Sequence, residues 1–259
     1  MEDTNKKSGI LYVVGLGPGS AKWMCEEALF AIKKAKVICG YKTYIHLIKE
    51  LIKSHQKVIQ TGMTKEKDRV QMAIDEALKG NDVALVCSGD PGIYGLSGLV
   101  FEMIKKEGID LKKLKVEIIP GIPALSACAA ILGAPLIHDF AVVSLSDLLT
   151  PWPLIEKRLK AAAEADFVIC LYNPRSKKRK EHLPKALEII WQKRPKDVPV
   201  GIVTKAMRKG EKATITTLSK LIKNDELIDS VGMQSLLVVG NSTSFVYANK
   251  IITPRGYEI

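Results

Sequence analysis

The residues of this chain best suited to hold a ligand lie in glycine-rich turns that directly follow apolar runs. The run Val83–Val86 is typical of a buried strand, and the segment Ser88–Gly92 that comes after it cannot continue one. From about Gly95, apolar residues recur at spacings of three and four, which predicts a helix. Open α/β sheets bind ligands at the carboxyl ends of parallel strands, so this turn is a candidate binding loop.

A second turn of this kind, Gly15–Gly19, follows the apolar run Ile10–Val14. A dinucleotide site would need the pattern G-x-G-x-x-G, whose backbone N–H groups hold a pyrophosphate. Here Pro18 removes one of those donors, and the short strand predicted to end at Cys39 lacks the acidic residue that would bind a ribose. No G-x-x-x-x-G-K-[ST] loop occurs either. The turn therefore favours a nucleoside-like ligand without phosphates and disfavours a hydride-transfer enzyme.

Three more turns share the order of strand, break and helix. They are Pro120–Ala124, Leu171–Ser176 and Thr204–Ala206, the last of which leads towards Ala213–Thr217. Two α/β halves joined near Pro120 would gather such turns at a cleft between them, where small ligands commonly bind.

Strand and helix patterns alternate along both halves, which predicts an α/β fold of two domains with mainly parallel central sheets. The break at Pro120–Pro123 divides the chain into an amino-terminal α/β domain over residues 9–119 and a carboxyl-terminal α/β domain over residues 120–259. Ser20 and Thr64 are the expected N-caps of two helices. The expected strands include Lys115–Ile119, Phe167–Leu171, Val200–Val203 and Leu236–Val239, and a helix is expected over Ala124–Leu132.

Composition limits the classes of protein to be considered. The 259 residues are 47% hydrophobic and 26% charged, as in an ordinary globular protein. No apolar run approaches the roughly 18 residues that a membrane span needs, and Met1–Ser8 lacks the apolar core of a secretory signal, so a cytoplasmic protein is expected. The five cysteines and four histidines show no ligand spacing, which predicts buried reduced thiols and no metal site.

The net charge of +11 requires an explanation, because it would favour nucleic acid, an anionic membrane face or a polycarboxylate small molecule. The densest basic run is Arg175–Lys180, which could also be the solvated start of a helix. Elsewhere Lys and Arg are scattered among Glu and Asp, and aromatic residues are only 6% of the chain. Few stacking side chains make a nucleic-acid-binding module the weaker interpretation.

The turns, taken in order, resemble the motifs of the tetrapyrrole (corrin/porphyrin) methyltransferases. The family-wide motifs are Val14–Gly19, Ser88–Tyr94 and Pro120–Ala124. The longer segment His138–Trp152 resembles the signature of one subfamily, the precorrin-3B or cobalt-precorrin-3 C17-methyltransferases of cobalamin biosynthesis. Leu171–Ser176, Val239–Ser242 and Thr253–Tyr257 agree with that subfamily.

The resemblance implies a two-lobed enzyme that binds S-adenosylmethionine between its lobes, releases S-adenosylhomocysteine, and forms a homodimer. Carried over by position, the implied cofactor-binding residues are Gly17, Pro18, Gly89, Asp90, Ile93, Pro123, Ala124, Tyr172, Asn173 and Ala206. Many relatives have Thr or Ser where this chain has Pro123, so a side-chain hydroxyl contact would be lost there while a backbone contact could remain.

The implied reaction is methylation of C17 of a reduced tetrapyrrole, accompanied by contraction of the ring. Methyl transfer from a sulfonium depends mainly on positioning, although the ring chemistry could require a base, for which the candidates are Asp139, His138, Asp147 and Tyr41. Lys42, Arg175 and Lys205 are the expected partners of the substrate's carboxylates, which would account for part of the positive charge. Another precorrin carbon, a ribosomal RNA ribose or a diphthamide precursor remains an alternative acceptor within the same fold.

Overall fold

The computed structural model describes residues 8–194 and 197–258, so most of the polar segment Met1–Ser8 lies outside it. The chain forms two compact units, the first ending at Ala124 and the second beginning at Leu125. Each contains a five-stranded sheet and several helices, which confirms the predicted α/β class.

The first unit contains an entirely parallel sheet in the order β3-β2-β4-β1-β5. Its strands are β1 (Ile10–Gly15), β2 (Val37–Tyr41), β3 (Lys57–Thr61), β4 (Val83–Cys87) and β5 (Lys115–Ile119). Its α-helices are α1 (Glu26–Lys34), α2 (Lys42–Leu47), α3 (Glu66–Leu78) and α4 (Ser97–Lys106).

Two apolar layers bury the central strands of this sheet on both faces. Leu85 of β4 packs in a cluster with residues of α3 and α4, whereas its neighbour Val86 packs in a second cluster with residues of α1 and α2. Since successive side chains of a strand point to opposite faces, this double burial explains the continuous apolar sequence of β4. All five strands run in one direction, so the loops that follow them lie at one edge of the sheet.

The second unit contains a mixed sheet in the order β10-β9-β11-β8-β7 and a small sheet in the order β12-β13-β6. The strands are β6 (Gly133–Ala134), β7 (Phe140–Ser144), β8 (Val168–Tyr172), β9 (Pro199–Thr204), β10 (Lys212–Thr217), β11 (Ser235–Val239), β12 (Phe245–Tyr247) and β13 (Lys250–Ile252). The α-helices are α5 (Ala124–Leu132), α6 (Trp152–Glu164), α7 (His182–Trp191), α8 (Leu218–Ile222) and α9 (Asp225–Ser230).

The prediction of mainly parallel sheets holds fully for the first unit and needs correction in the second. In the five-stranded sheet of that unit, β7, β8 and β9 run in one direction and β10 and β11 run in the other, so that among its described strands only β7 and β8 pair in parallel. The connection 205–211 between β9 and β10 is shorter than the dozen or so residues that a parallel crossover needs, so these two strands must pair antiparallel. Strand β11 then inserts between β8 and β9 in the opposite direction.

Both predicted N-caps are wrong. Ser20 precedes a short 3-10 helix and makes no capping hydrogen bond, and α1 begins only after Cys25. Thr64 adopts a left-handed backbone with φ of 62°, and its hydroxyl donates to the carbonyl of Met63 instead of capping α3. Lys65 occupies the N-cap position of α3.

Within residues 8–194 and 197–258, no helix combines the length and apolar character needed to cross a membrane. Over the same residues, His, Cys, Asp and Glu side chains do not form a group of three or more that could hold a metal ion.

The five thiols differ sharply in their environment, which predicts their reactivity. Burial raises the pKa of Cys39, Cys128 and Cys170 to about 12 and that of Cys87 to about 11. Cys25 is exposed. Because the thiolate is the reactive form, we expect a disulfide reagent at pH 8 to modify one thiol in the native protein.

Absorbance titration with this reagent checks the expectation, and the denatured protein should release five equivalents. Cys25→Ser should abolish the native-state reaction, with Cys87→Ser leaving it unchanged. A second native equivalent that reacts as quickly would contradict the burial of the core thiols.

Candidate functional site

Three loops of the first unit come together at the carboxyl ends of the neighbouring strands β4, β1 and β5. Gly17, after β1, and Gly89, after β4, pair through two backbone hydrogen bonds: Gly17 N donates to Gly89 O at 3.1 Å, and Gly89 N donates to Gly17 O at 2.8 Å. Both glycines have left-handed backbones, with φ of 56° and 68°. Glycine adopts this conformation without a steric cost, whereas a residue with a Cβ would be strained in it. The two glycines therefore make this backbone pairing possible.

The third loop approaches so closely that there is no room for side chains. A Cβ on Gly121, after β5, would lie 2.3 Å from the carbonyl oxygen of Gly89, and a Cβ on Gly15 would lie 2.5 Å from the amide nitrogen of Gly121. The atoms in the way belong to the backbone and cannot move aside as a side chain could. The absence of a side chain at these positions therefore lets the loops pack directly against one another.

The carboxylate of Asp90 fastens two of these loops. Its Oδ1 accepts a hydrogen bond from the amide of Gly92 at 2.7 Å, and its Oδ2 accepts one from the amide of Gly121 at 3.0 Å. Hydrogen bonds to a charged acceptor are stronger than those between neutral groups. Asp90 thus has a structural role, joining the loop after β4 to the loop after β5.

The other candidate residues of the first unit follow the same strands. Pro18 lies in the loop after β1, Ile93 is exposed in the loop after β4, and Pro123 and Ala124 follow β5. The backbone of Pro123 lies near Gly89, since a Cβ built on that glycine would be 3.8 Å from the Pro123 Cα. The structure therefore brings these predicted residues together at one edge of the first sheet.

Tyr41 and Lys42 also lie at this edge, where β2 ends and α2 begins. The buried Arg69 of α3, which sequence reasoning missed, places its guanidinium 5.8 Å from the centre of the Tyr41 ring. It also donates hydrogen bonds to Thr61 Oγ1 and Gly62 O at the end of β3. No spacing in the sequence singles out this arginine among the other charged residues of α3.

In the second unit, the residues implied in cofactor binding lie where the parallel strands β7, β8 and β9 end. The hydroxyl oxygen of Tyr172, at the end of β8, accepts a hydrogen bond from the amide of Leu125 at 2.9 Å, near the start of α5. Asn173 has a left-handed backbone with φ of 49°, and its side-chain amide donates to Ser144 Oγ at the end of β7. Ala206 and Lys205 follow β9 at the same edge of the sheet.

A further polar cluster at this edge contains one predicted residue, Asp147, and three that sequence reasoning missed. His182 Nε2 lies 3.5 Å from Asp147 Oδ2, and Arg179 Nη1 lies 3.9 Å from Asp147 Oδ1. The His182 ring stacks on Trp152, with 4.3 Å between ring centres. Burial lowers the pKa of the Arg179 guanidinium, whereas the Asp147 carboxylate opposes that shift.

The basic run 175–180 is a loop, and α7 begins after it at His182. Two of its arginines turn inward: the Arg175 guanidinium donates to Asp229 O at 3.0 Å and pairs with the Asp229 carboxylate, and Arg179 donates to Asn173 O at 2.7 Å. Arg175 therefore has a structural partner within the second unit, and its expected role in substrate binding stays a prediction.

His138 and Asp139 lie at the opposite edge of the second sheet, just before β7 begins at Phe140. A strand of this length spans about 17 Å, which separates them from Asp147 and Tyr172. They line a cleft of about 290 Å³ that Asn241 and Arg255 also border. The structure thus does not bring these two candidate bases together with the other second-unit candidates.

The loops, the sheets and the comparisons with known proteins identify the class of this protein. It belongs to the tetrapyrrole (corrin/porphyrin) methylases, whose family model matches residues 10–222. This confirms the family that the motifs indicated.

Individual relatives make the comparison more specific. The chain is 49% identical to a Salmonella typhimurium protein named "Probable cobalt-factor III C(17)-methyltransferase", over 96% of this chain and 100% of the relative. It is 37% identical to a Sinorhizobium precorrin-3B C(17)-methyltransferase, over 96% of this chain and 98% of the relative. The crystal structure of the methyltransferase CobJ matches with a TM-score of 0.88 and 32% identity, over 95% of this chain and all of that one.

The glycine contacts predict a strong effect at Gly121. Gly121→Ala places a methyl group against the Gly89 carbonyl, so we expect a loss of about 2 kcal/mol or more in the free energy of unfolding. Urea denaturation followed by circular dichroism measures this difference.

Gly98→Ala is the matched control, since Gly98 lies in α4 and a Cβ added there would meet nothing within 4 Å. Alanine in a helix should raise stability there by up to about 1 kcal/mol. Equal stability of the Gly121→Ala protein and the unmutated protein would show that the loops do not pack as described.

Proposed function

We propose that this protein is an S-adenosylmethionine-dependent methyltransferase that methylates C17 of a cobalt-containing precorrin-3-type tetrapyrrole, with accompanying ring contraction, in cobalamin biosynthesis. The observation that carries this proposal is the 49% identity, over nearly the whole chain, to the Salmonella typhimurium relative named for C17 of cobalt-factor III. Identity to the precorrin-3B relative is lower, at 37%. The difference supports a substrate that already contains cobalt.

The first-unit loops fit the proposed cofactor. S-adenosylmethionine has no phosphate, and Pro18 removes an amide donor that a pyrophosphate would require. Glycines let the three loops pack closely, and Asp90 joins two of the loops, so the edge that would receive the ligand has a fixed backbone. The proposal assigns Gly17, Pro18, Gly89, Asp90, Ile93, Pro123 and Ala124 of the first unit, with Tyr172, Asn173 and Ala206 of the second, to this ligand.

The main contribution of the chain to catalysis is orientation. When bound, the cofactor supplies a methyl group whose bond to sulfur breaks as its bond to the acceptor carbon forms. Holding two reactants in line can contribute roughly 7–11 kcal/mol, so fixed loops matter more than acid–base groups. If ring contraction requires a base to take a proton from the substrate, Asp147 is the candidate in the second unit, at the same sheet edge as Tyr172. Tyr41 is the candidate base in the first unit.

Exposed cations support an acidic substrate. Lys42 and Lys205 are exposed at the ends of β2 and β9, at the sheet edges that hold the cofactor candidates. The proposal assigns these lysines, together with Arg175 in the loop after β8, to the carboxylates of the tetrapyrrole.

We also propose a homodimer formed through the hairpin of β12 and β13. Strand β12 is an edge strand on which Phe245, Val246 and Tyr247 are all exposed. Natural edge strands usually carry protective charges, so an apolar edge favours pairing with another chain.

Buried reduced thiols agree with the proposed cytoplasmic location, because thiols persist in reducing compartments.

Val246→Lys tests the dimer, since a charge in a buried interface without a partner is costly. We expect sedimentation velocity to show a dimer for the unmutated protein and a monomer for the variant. Leu111→Lys, at an exposed leucine of the first unit, should remain dimeric. A monomeric unmutated protein would overturn the dimer without affecting the proposed reaction.

The reaction itself is tested by mass spectrometry. We expect incubation with S-adenosylmethionine and cobalt-factor III to give a tetrapyrrole with one additional methyl group, and S-adenosylhomocysteine as the second product. Methylation of ribosomal RNA, of a diphthamide precursor or of a different precorrin, with no reaction of cobalt-factor III, would overturn the proposed acceptor.

Asp90→Ala tests the cofactor site. Loss of the carboxylate leaves the Gly92 and Gly121 amides without their acceptor, so calorimetry should show binding of S-adenosylhomocysteine weakened by at least about tenfold. Asp110→Ala is the matched control. The Asp110 carboxylate accepts a hydrogen bond from Lys112 N, two residues later, as Asp90 does from Gly92 N, but Asp110 lies in the loop before β5. Similar affinities of the two variants would remove Asp90 from the cofactor site.

A further inference from the structure

We infer that the loop 145–151, which we call the leucine loop, places Leu148 and Leu149 against the apolar face of the tetrapyrrole substrate. The inference rests on the proposed function and adds residues that determine substrate binding. Leu148 is 78% exposed and Leu149 is 97% exposed. Among the large hydrophobic side chains that the structure describes, Leu149 has the greatest exposure.

This exposure occurs in a loop whose first residues are held by hydrogen bonds and an ion pair. At its start, Leu145 is fully buried, and its amide donates to Tyr172 O at 2.9 Å. The Leu145 carbonyl can only accept, so His182 Nδ1, 3.0 Å away, is the donor of that hydrogen bond. His182 also lies beside Asp147 within the loop and stacks on Trp152, which begins α6 just after it. One side chain therefore holds the start, middle and end of the leucine loop.

The position of the loop connects it with the proposed active site. It follows β7, whereas Tyr172 ends β8, the parallel neighbour of β7, and Asn173 comes directly after it. Asn173 donates to Ser144 Oγ, which also accepts a hydrogen bond from the Ser146 amide. The exposed leucines thus belong to a loop that is hydrogen-bonded directly to Tyr172 and linked to Asn173 through Ser144, the last residue of β7.

The adjacent loop supplies the charge that such a substrate requires. Residues 174–181 follow β8 and expose Lys177, Lys178 and Lys180. Arg179 turns inward from the same loop and approaches Asp147 of the leucine loop at 3.9 Å. An apolar tip beside exposed cations complements a flat macrocycle with carboxylates on its rim: leucines can cover the ring while lysines pair with the carboxylates.

The test uses the variant Leu148→Ser/Leu149→Ser, with Leu111→Ser as a matched control at another exposed loop leucine. Uroporphyrin III serves as a stable polycarboxylate macrocycle whose binding is followed by quenching of tryptophan fluorescence. Removing two buried leucine contacts should weaken its binding by at least about tenfold. The KM for cobalt-factor III should rise by a similar factor, and the affinity for S-adenosylhomocysteine should stay within about twofold.

The outcomes separate this inference from the proposed function. Unchanged macrocycle affinity and KM in the double variant, with active unmutated protein, would overturn the inference alone. Loss of dimer in sedimentation velocity would assign the leucines to a second copy of the chain and would likewise overturn it. An unmutated protein that neither binds the macrocycle nor methylates cobalt-factor III would overturn the proposed function, and with it the inference that rests on that function.

Discussion

The close approach of three backbone segments in the first unit is the constraint on which the rest of its site depends. A single carbon added to Gly15 or Gly121 would meet backbone atoms of the neighbouring loops, including the Gly89 carbonyl oxygen, at 2.3–2.9 Å. The parallel sheet makes this approach possible, because it brings the ends of β4, β1 and β5 side by side. Asp90 then fixes the spacing by accepting hydrogen bonds from two amides. Backbone geometry, more than any reactive side chain, defines this site.

The second unit also gathers its candidate residues at one edge of a sheet, although that sheet is mixed. Although β10 and β11 run against the other strands, β7, β8 and β9 still end at one edge, and the loops that follow them carry the conspicuous polar groups. At that edge, hydrogen bonds between neighbouring loops replace the glycine contacts of the first unit. His182 is the central example, since its ring contacts residues at both ends of one loop. This arrangement suits a site that must present side chains to a large ligand.

The sequence predicted the buried parts of the fold well and the edges poorly. The central strands β4 and β11 were predicted to within one residue, and the helix Ala124–Leu132 has the predicted bounds, because apolar spacing reflects burial directly. One edge strand, β5, also has its predicted bounds, Lys115–Ile119. The edge strands β3, β7 and β10 were not predicted: being partly exposed, such strands lack the continuous apolar run that marks β4. Family motifs located the loops around Gly89, but no motif could pair Asp147 with His182, which only the tertiary structure brings together.

The strand order of the second unit has a consequence for folding during translation. The first sheet is complete once Ile119 has left the ribosome. By contrast, β11 occupies the middle of the second sheet but is encoded last among its five strands, at Ser235–Val239. Until that segment emerges, β8 and β9 lack the strand that hydrogen-bonds to both of them. The first sheet can therefore form before the central strand of the second sheet has been synthesised.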